Sequence, residues 1–301
     1  MDTNSKLSNS TGVILVSHGS TLPYAEEVFV EIKDKFIKKT GLAAEIGYMK
    51  VSEPTIAGAV EILKDEVDDL KKIIALPVFL APGIHTNIDI PQLLGLEPLE
   101  VDPRCPDGNY PPEHYLSIAD DVDFDGEIEL LGSIGPRDEL LDIIDKRIDE
   151  ALAESKLGDV KTGILLVTHG SRLHYNKKFA TELYNKFEKT CELPSSFGFM
   201  ELCGPSIPES INKLVDENDL ERLVVVPIFI APGMHTTHDI PHILGFLEEH
   251  EHSHGHGHSH GHDHSHDLTP VDFDGEILYP EPIKADDILI DILISMMDEK
   301  L

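Results

Sequence analysis

The apolar positions of this chain fall into two alternating patterns. Short runs rich in β-branched residues, such as "VILVS", "AAEIGYM" and "KIIALPVFL", are typical of buried strands. Between them, "YAEEVFVEIKDKFIKKTG" has apolar residues at helical spacing and ends in Gly41, a common residue at helix ends. "SEPTIAGAVEILKDEV" and the acidic "PRDELLDIIDKRIDEALAE" predict two more helices. This alternation predicts an α/β fold in which a parallel sheet is flanked by helices.

The whole pattern occurs twice in the chain. "GVILVSHGS" at residues 12–20 returns as "GILLVTHGS" at 163–171, and "IGYMKVSEPTI" returns as "FGFMELCGPSI". "PVFLAPGIHTNIDIP" at 77–91 returns as "PIFIAPGMHTTHDIP" at 227–241, and "VDFDGEI" is repeated without change. Such regular spacing indicates a duplicated unit. We therefore predict two tandem α/β domains, residues 10–157 and residues 158–301.

Length and composition agree with two ordinary globular domains. The 301 residues are 41% hydrophobic, which allows each half to bury a core. A formal net charge of −32 argues against binding to nucleic acid or to an anionic membrane surface. No apolar run approaches the ~20 residues that cross a bilayer, and the polar N-terminus lacks the features of a secretory signal. A cytoplasmic location is expected.

Histidines follow the predicted strands at matching places in both halves. His18 and His169 come directly after the first strand of each half, whereas His85 and His235 follow the third. The carboxyl ends of parallel strands meet at one edge of a sheet, so we expect each pair to lie close together. Two imidazoles can hold Co, Ni, Zn or Fe(II) and leave other coordination positions open. A structural zinc site would need four ligands, and the three cysteines form no CxxC pair.

A carboxylate is a candidate third member in the second half. Glu201 follows the second predicted strand there, and the aligned residue in the first half is Lys50. Glu45 and Glu53 are nearby acidic residues of the first half. A carboxylate at this position could take a proton from an incoming ligand or help to hold a metal. The alternative is an ordinary surface carboxylate in an acidic protein.

A histidine-rich tract occupies residues 248–267 of the second half. Gly, Ser, Asp and Glu separate the histidines, so the tract cannot build a core and is predicted to be a loop. Dense imidazole on such a segment predicts weak, exchangeable binding of transition metals, and a polar linker without function is the alternative. The auxiliary metal ligands expected here are His250, His252, His254, His256, His258, His260, His262, His264 and His266.

The combined motifs resemble the class II tetrapyrrole chelatases, specifically the sirohydrochlorin cobaltochelatase and ferrochelatase group. The resemblance depends on "SHGS" and "THGSR", on "FME" followed by "GPSI", and on "PIFIAPGMHTTHDIP". It covers nearly the whole chain, twice. It implies two chelatase-like, flavodoxin-like domains and the insertion of a divalent metal into sirohydrochlorin. The metal would be a substrate, Co²⁺ first and Ni²⁺ or Fe²⁺ next, and no permanently bound cofactor is implied.

The resemblance also implies roles for individual residues. His169 and His235 would bind and present the metal, and Glu201 would assist removal of pyrrole protons. His18 and His85 match the same histidines in the first half, but Lys50 stands where the family has Glu. We therefore predict that the second half carries the main catalytic site, with the first half impaired, differently tuned or aided by Glu45 or Glu53.

Several points remain open at the level of sequence. Sirohydrochlorin carries eight carboxylates, so either salt screens its repulsion from this acidic protein or the cleft is locally basic. Arg172, Lys177 and Lys178 are the candidates for a basic cleft. A metal-storage or delivery protein without catalysis is one alternative. A phosphohistidine enzyme is another, although Ser17 and Thr168 stand where that chemistry usually has Arg. The chain could be a monomer or a homodimer.

Overall fold

The computed structural model describes residues 10–247 and 271–300. The first repeat contains four strands and the helices that connect them. Its main elements are β1 (Thr11–Ser17), α1 (Pro23–Thr40), β2 (Ala43–Tyr48), α2 (Ile56–Glu66), β3 (Lys72–Pro77), α3 (Ile90–Leu93), α4 (Tyr115–Ile118), β4 (Glu127–Leu130) and α5 (Glu139–Glu154). A π-helical turn, His85–Asp89, leads directly into α3.

The second repeat follows the same order. Its elements are β5 (Thr162–Thr168), α6 (His174–Phe187), β6 (Ser195–Phe199), α7 (Ile207–Asn218), β7 (Arg222–Pro227), α8 (Ile240–Ile243), β8 (Glu276–Leu278) and α9 (Asp287–Asp298). Another π-helical turn, His235–Asp239, precedes α8. None of the helices in these described stretches is long and apolar enough to span a bilayer.

Each repeat forms its own parallel sheet, in the order β2-β1-β3-β4 and β6-β5-β7-β8. The prediction of an α/β fold with two parallel sheets flanked by helices is confirmed. The apolar runs predict three strands in each half, and the structure adds a fourth at one edge. The apolar pattern does not predict β4 and β8, because these strands are short and only partly buried and their sequences lack a continuous apolar run.

The local signals that begin and end the helices are visible in the structure. Gly41 ends α1 in the left-handed conformation (φ 69°), and its N–H bonds to the carbonyl of Ile37. Ser206 and Glu209 form a capping box at the start of α7. Thr55 accepts a hydrogen bond from Gly58 N–H and caps α2. These caps fix where each helix departs from the sheet edge.

The last helix of each repeat packs on the other repeat. α5 contacts β7 and α6, and α9 contacts both α1 and α5. Arg147 on α5 donates to the carbonyls of Pro282 and Ile283, and Lys146 pairs with Asp286 at 2.6 Å. Buried apolar residues from both repeats join in one cluster, so the two halves share part of their core, and each repeat also has a cluster of its own. The division between residues 157 and 158 stays a prediction, and it falls in the connection between α5 and β5.

Candidate metal centre at the sheet edge

The four strand-end histidines lie where parallel-sheet proteins place their ligands. His18 and His169 directly follow β1 and β5, and His85 and His235 open the two π-helical turns. β1 is hydrogen-bonded to β3, and β5 to β7, so the carboxyl ends of these strands are neighbours. The structure brings both pairs together, with ring centroids 5.0 Å apart in the first half and 4.7 Å apart in the second.

The second pair is joined by a carboxylate. His169 Nε2 and His235 Nε2 are 3.2 Å apart, and Glu201 Oε1 is 3.3 Å from His169 Nε2. One donor atom from each of these side chains lies within 4.8 Å of the others. Residues 10–247 and 271–300 contain no other group of three such donors. Three donors leave coordination positions open, so this cluster suits a metal that must leave again.

Hydrogen bonds on the far side of each ring set the direction of the lone pairs. His169 Nδ1 donates to the carbonyl of Gly170 at 3.0 Å, and a carbonyl can only accept. His235 Nδ1 donates to Asp239 Oδ2 at 2.8 Å. In the neutral imidazoles the lone pair is therefore on Nε2, and both Nε2 atoms face the same space. This is the usual arrangement of histidines that bind a metal.

The surroundings favour neutral imidazole at His169. Burial lowers the pKa of His169 below its ordinary value of 6.5, and the nearby His235 lowers it further. The hydrogen bond from His235 lowers the pKa of Asp239, which keeps that carboxylate charged. At neutral pH His169 therefore presents a lone pair rather than a proton, and a charged carboxylate lies behind His235. A divalent cation is the species that such a cluster stabilises.

The loop after β5 holds Glu201 in place. Glu201 N–H donates to the carbonyl of His169 at 3.0 Å, which continues the β5–β6 pairing beyond the strands. Gly170 has a φ of +94°, and a Cβ there would lie 1.9 Å from the carbonyl oxygen of Glu201. Leu202 follows with a φ of +65°, an uncommon conformation for a non-glycine residue. The backbone around the carboxylate is therefore tightly constrained, as is common at functional sites.

Replacing Gly170 with alanine is expected to destabilise the protein by more than about 2 kcal/mol, because the added Cβ clashes with backbone and the left-handed φ is strained. Urea unfolding monitored by circular dichroism measures the effect. Gly132→Ala is the control, since a Cβ there has no neighbour within 4 Å. Equal stability of the two variants would contradict the close approach of the loop to Glu201.

The first pair has the same backbone but different chemistry. A Cβ on Gly19 would lie 1.9 Å from the carbonyl of Lys50, just as at Gly170. Burial lowers the pKa of His18 to about 4, and the nearby charge of Lys50 contributes. His85 Nδ1 donates to Asp89 Oδ2 at 2.6 Å, as its counterpart does in the second half. The first half thus keeps both imidazoles and replaces the carboxylate with a cation.

The structure does not bring Glu45 or Glu53 to the first pair. Glu45 is in the middle of β2 and forms an ion pair with Lys33 at 2.7 Å. Glu53 is exposed and accepts a hydrogen bond from Thr55 N–H. The hypothesis that one of these carboxylates compensates for Lys50 is therefore not supported by the geometry. Sequence distance alone could not show that Lys33 neutralises Glu45.

Comparison with known proteins decides the family. The CbiX family model matches residues 12–151 and 163–300, which is most of the chain and both repeats. The chain belongs to the CbiX family. This confirms the chelatase resemblance inferred from the repeated histidine motifs.

Several relatives of this CbiX protein have names that state a function. Sirohydrochlorin cobaltochelatase from Methanopyrus kandleri is 46% identical over 139 residues, which is 46% of this chain and 96% of that protein. The enzyme of that name from Methanocaldococcus jannaschii is 48% identical over 136 residues, covering 44% of this chain and 94% of the relative. A probable sirohydrochlorin cobaltochelatase from Halobacterium salinarum is 26% identical over 232 residues, with 76% and 75% covered. The first two relatives correspond in length to one repeat.

Solved structures show that the fold of this CbiX protein is shared. SirB from Bacillus subtilis with Fe³⁺ superposes with a TM-score of 0.65 at 16% identity, over 96% of this chain and 95% of that one. SirB from Bacillus subtilis subspecies spizizenii in complex with cobalt gives a TM-score of 0.62, also at 16% identity, over 96% and 94%. At this identity the likeness concerns the fold.

The sequence reasoning missed the two aspartates that orient the histidines. Asp239 and Asp89 each lie four residues after the second histidine of a pair and accept from its Nδ1. A signal was present, because this position is Asp in both copies of the repeated segment. The spacing places histidine and aspartate on one face of a helical turn. Only the structure shows that the turn is helical.

Replacing Asp239 with asparagine is expected to weaken Co(II) binding at the second cluster by about 10- to 100-fold, because His235 loses the charged partner that orients its ring. Isothermal titration with Co(II), in a full-length background whose nine tract histidines are serine, measures the affinity. Asp216→Asn makes the same chemical change at an exposed helix position and serves as control. Unchanged affinity of the Asp239 variant would rule out this orienting role.

The remaining predicted site residues are the three cations after His169 and the histidine-rich tract. Arg172, Lys177 and Lys178 are all exposed, on the loop after His169 and the first turns of α6, and Lys178 lies 3.9 Å from Glu182. Their role toward substrate stays a prediction. The histidine-rich tract, residues 248–267, lies outside the described residues.

Side-chain contacts join the two repeats near the carboxyl ends of their strands. Tyr24 OH lies 3.3 Å from Thr237 Oγ1, two residues after His235. In the reverse direction, Tyr175 OH donates to Glu100 at 2.5 Å, and Glu100 also accepts from Asn87, two residues after His85. The start of α1 therefore touches the second π-helical turn, and the start of α6 lies beside the first. Each histidine pair therefore lies near a contact between the two repeats.

Proposed function

We propose that this protein is a sirohydrochlorin chelatase that inserts a divalent metal, Co²⁺ first, into the tetrapyrrole. The observation that carries the proposal is the cluster of His169, Glu201 and His235 at the carboxyl ends of the second sheet. The names of the half-length relatives support both the substrate and the metal. Insertion of Ni²⁺ or Fe²⁺ is the alternative, because imidazole ligands accept all three ions.

Each residue of the cluster has a role in this proposal. His169 and His235 hold the incoming metal through Nε2, and their Nδ1 hydrogen bonds keep the two Nε2 atoms turned toward each other. The metal replaces two pyrrole N–H protons when it enters the macrocycle. Glu201, whose oxygen is 3.3 Å from His169 Nε2, is placed to accept one of these protons. An incomplete ligand shell lets the metal pass to the four nitrogens of the macrocycle.

The first pair has a weaker case for metal binding. His18 and His85 offer two imidazoles, but Lys50 brings a positive charge to the position of Glu201. We therefore assign catalysis to the second half. Location in the cytoplasm and the choice between monomer and homodimer stay predictions.

The direct test follows the absorbance of sirohydrochlorin after metal-stripped protein and Co(II) are added, against a reaction without protein. Acceleration is the expected result, and repeating the assay anaerobically with Ni(II) and Fe(II) ranks the metals. No acceleration with any of the three ions would overturn the proposal and favour metal storage. The nine tract histidines would then be the main metal-binding feature.

Replacing Arg172, Lys177 and Lys178 together with alanine is expected to raise the KM for sirohydrochlorin about tenfold or more, because the carboxylate-rich substrate loses nearby positive charge in an acidic protein. Steady-state assays at several salt concentrations measure this, and the effect should shrink as salt rises. Removing three other exposed lysines, Lys38, Lys156 and Lys213, is the control for net charge. An unchanged KM would show that these cations do not receive substrate.

A further inference from the structure

Two further histidines lie beside the metal cluster, on the second π-helical turn and α8. His238 and His242 are four residues apart, and their rings are nearly parallel, 14° between planes, with centroids 6.4 Å apart. Residues at this spacing share one face of a helical turn. Two imidazoles on one face form a chelating pair for a divalent first-row transition metal.

The hydrogen bonding of the pair leaves ring nitrogens for a ligand. His238 is 47% exposed, and its Nδ1 donates to Asp239 Oδ1 at 3.2 Å, so Nε2 keeps its lone pair. His242 Nδ1 is buried and has no hydrogen-bond partner among residues 10–247 and 271–300. Leaving a buried polar atom without a partner costs about 1–3 kcal/mol. Because Nδ1 is enclosed, Nε2 is the ring nitrogen through which His242 would bind a cation.

The fold itself does not require these histidines. The aligned residues of the first repeat are Ile88 and Gln92. Ile88 is completely buried, and Gln92 donates from its side-chain amide to Tyr110 OH at 3.0 Å. The turn of the half that lacks the carboxylate of Glu201 therefore forms without imidazole at these two positions. The histidine pair occurs only in the repeat with the three-donor cluster.

One carboxylate connects the pair to that cluster. Asp239 accepts from His238 through Oδ1 and from His235 through Oδ2. A metal at the pair would thus lie one side chain away from the metal-presenting histidine. The histidine-rich tract follows in sequence, with His250 eight positions after His242.

We propose that His238 and His242 form a second metal site, which holds a divalent first-row transition metal next to the cluster of His169, Glu201 and His235. Metal binding at the pair is independent of the proposed chelatase activity. The use of the pair as a source of metal for His235 rests on that activity.

The test is a Co(II) titration of full-length protein in which the nine tract histidines are replaced by serine. Calorimetry and the visible absorption of bound Co(II) count the ions held at micromolar free metal. The double variant His238→Gln, His242→Gln is expected to bind one Co(II) fewer per chain than this parent. His174→Gln removes another exposed histidine and is expected to bind as many as the parent.

The outcomes of three variants test the second metal site. Equal Co(II) counts in the double variant and the parent would overturn the second site. His238→Gln alone, at an exposed position, should also lose the ion while the thermal midpoint stays unchanged, since one imidazole does not chelate. Retention of the ion in that single variant would contradict the proposal that both histidines hold it. His235→Ala should keep the ion at the pair, so a chelatase assay that fails leaves this count unaffected.

Discussion

Replacing His235 with alanine is expected to lower the rate of metal insertion by about 100-fold or more, equivalent to ~2.7 kcal/mol of transition-state stabilisation. The variant removes one of three donors and leaves His169 without the ring nitrogen that lies 3.2 Å away. It also leaves Asp239 without the histidine that it orients. The rate of absorbance change of sirohydrochlorin at saturating Co(II) measures the loss.

Two matched variants make this result specific. His85→Ala is the same change in the first pair, where Lys50 replaces the carboxylate, and it should retain most of the activity. Replacing the nine tract histidines with serine should reduce metal storage while insertion at saturating Co(II) continues. If the tract variant lost activity and His235→Ala kept it, insertion would depend on the tract and the cluster would not be catalytic.

Replacing Lys50 with glutamate is expected to create a new Co(II) site in the first half, with affinity raised at least about 100-fold over the native pair. The backbone at Lys50 approaches Gly19 as closely as the backbone at Glu201 approaches Gly170. The new glutamate would therefore have the same backbone position relative to its histidine loop. The substitution removes a cation that opposes a divalent metal and adds a third donor. Titration with Co(II), in the background without tract histidines, should show one more bound ion per chain.

The reciprocal substitution and a charge control complete this experiment. Glu201→Lys should remove the Co(II) held by the second cluster, for the same electrostatic reason. Lys38→Glu makes the same change in net charge at an exposed position of α1 and should leave the count unchanged. A Lys50→Glu protein without an additional ion would show that the first half differs from the second by more than this residue.

Burial and the charge of Lys50 also determine how pH affects the first pair. The pKa of His18 is lowered to about 4, mainly by burial and partly by Lys50. A histidine with a lowered pKa contributes stability that is present above the unfolded value of 6.5 and is lost as pH falls toward 4. Metal binding by neutral imidazole weakens over the same range, because protons compete for Nε2.

The local signals in the sequence were sufficient for the fold class and for the central strands and main helices of each repeat. The β-branched runs became the central strands β1 and β3, and Gly41 became the left-handed end of α1. These predictions succeed because strand burial and helix capping depend on residues close together in sequence. The edge strands β4 and β8 were missed because packing against one neighbour, not a local apolar run, makes them strands.

The packing of the final helices could not have been predicted in this way. The pattern of α5 shows an amphipathic helix but does not say which sheet receives its apolar face. In the structure that face lies on β7 of the other repeat. The choice depends on the shapes of both sheets and on contacts such as Lys146 with Asp286, which join residues 140 positions apart.

The sequence by itself determined the duplication, the placement of four histidines at strand ends, and the exchange of glutamate for lysine between the halves. Only the tertiary structure decided that His169 and His235, separated by 66 positions, face each other through Nε2. It also showed that Glu45 lies within β2 and forms an ion pair with Lys33. The physical reason is that residue type and spacing define which donors are available, whereas hydrogen bonds and packing between distant segments define where their lone pairs point.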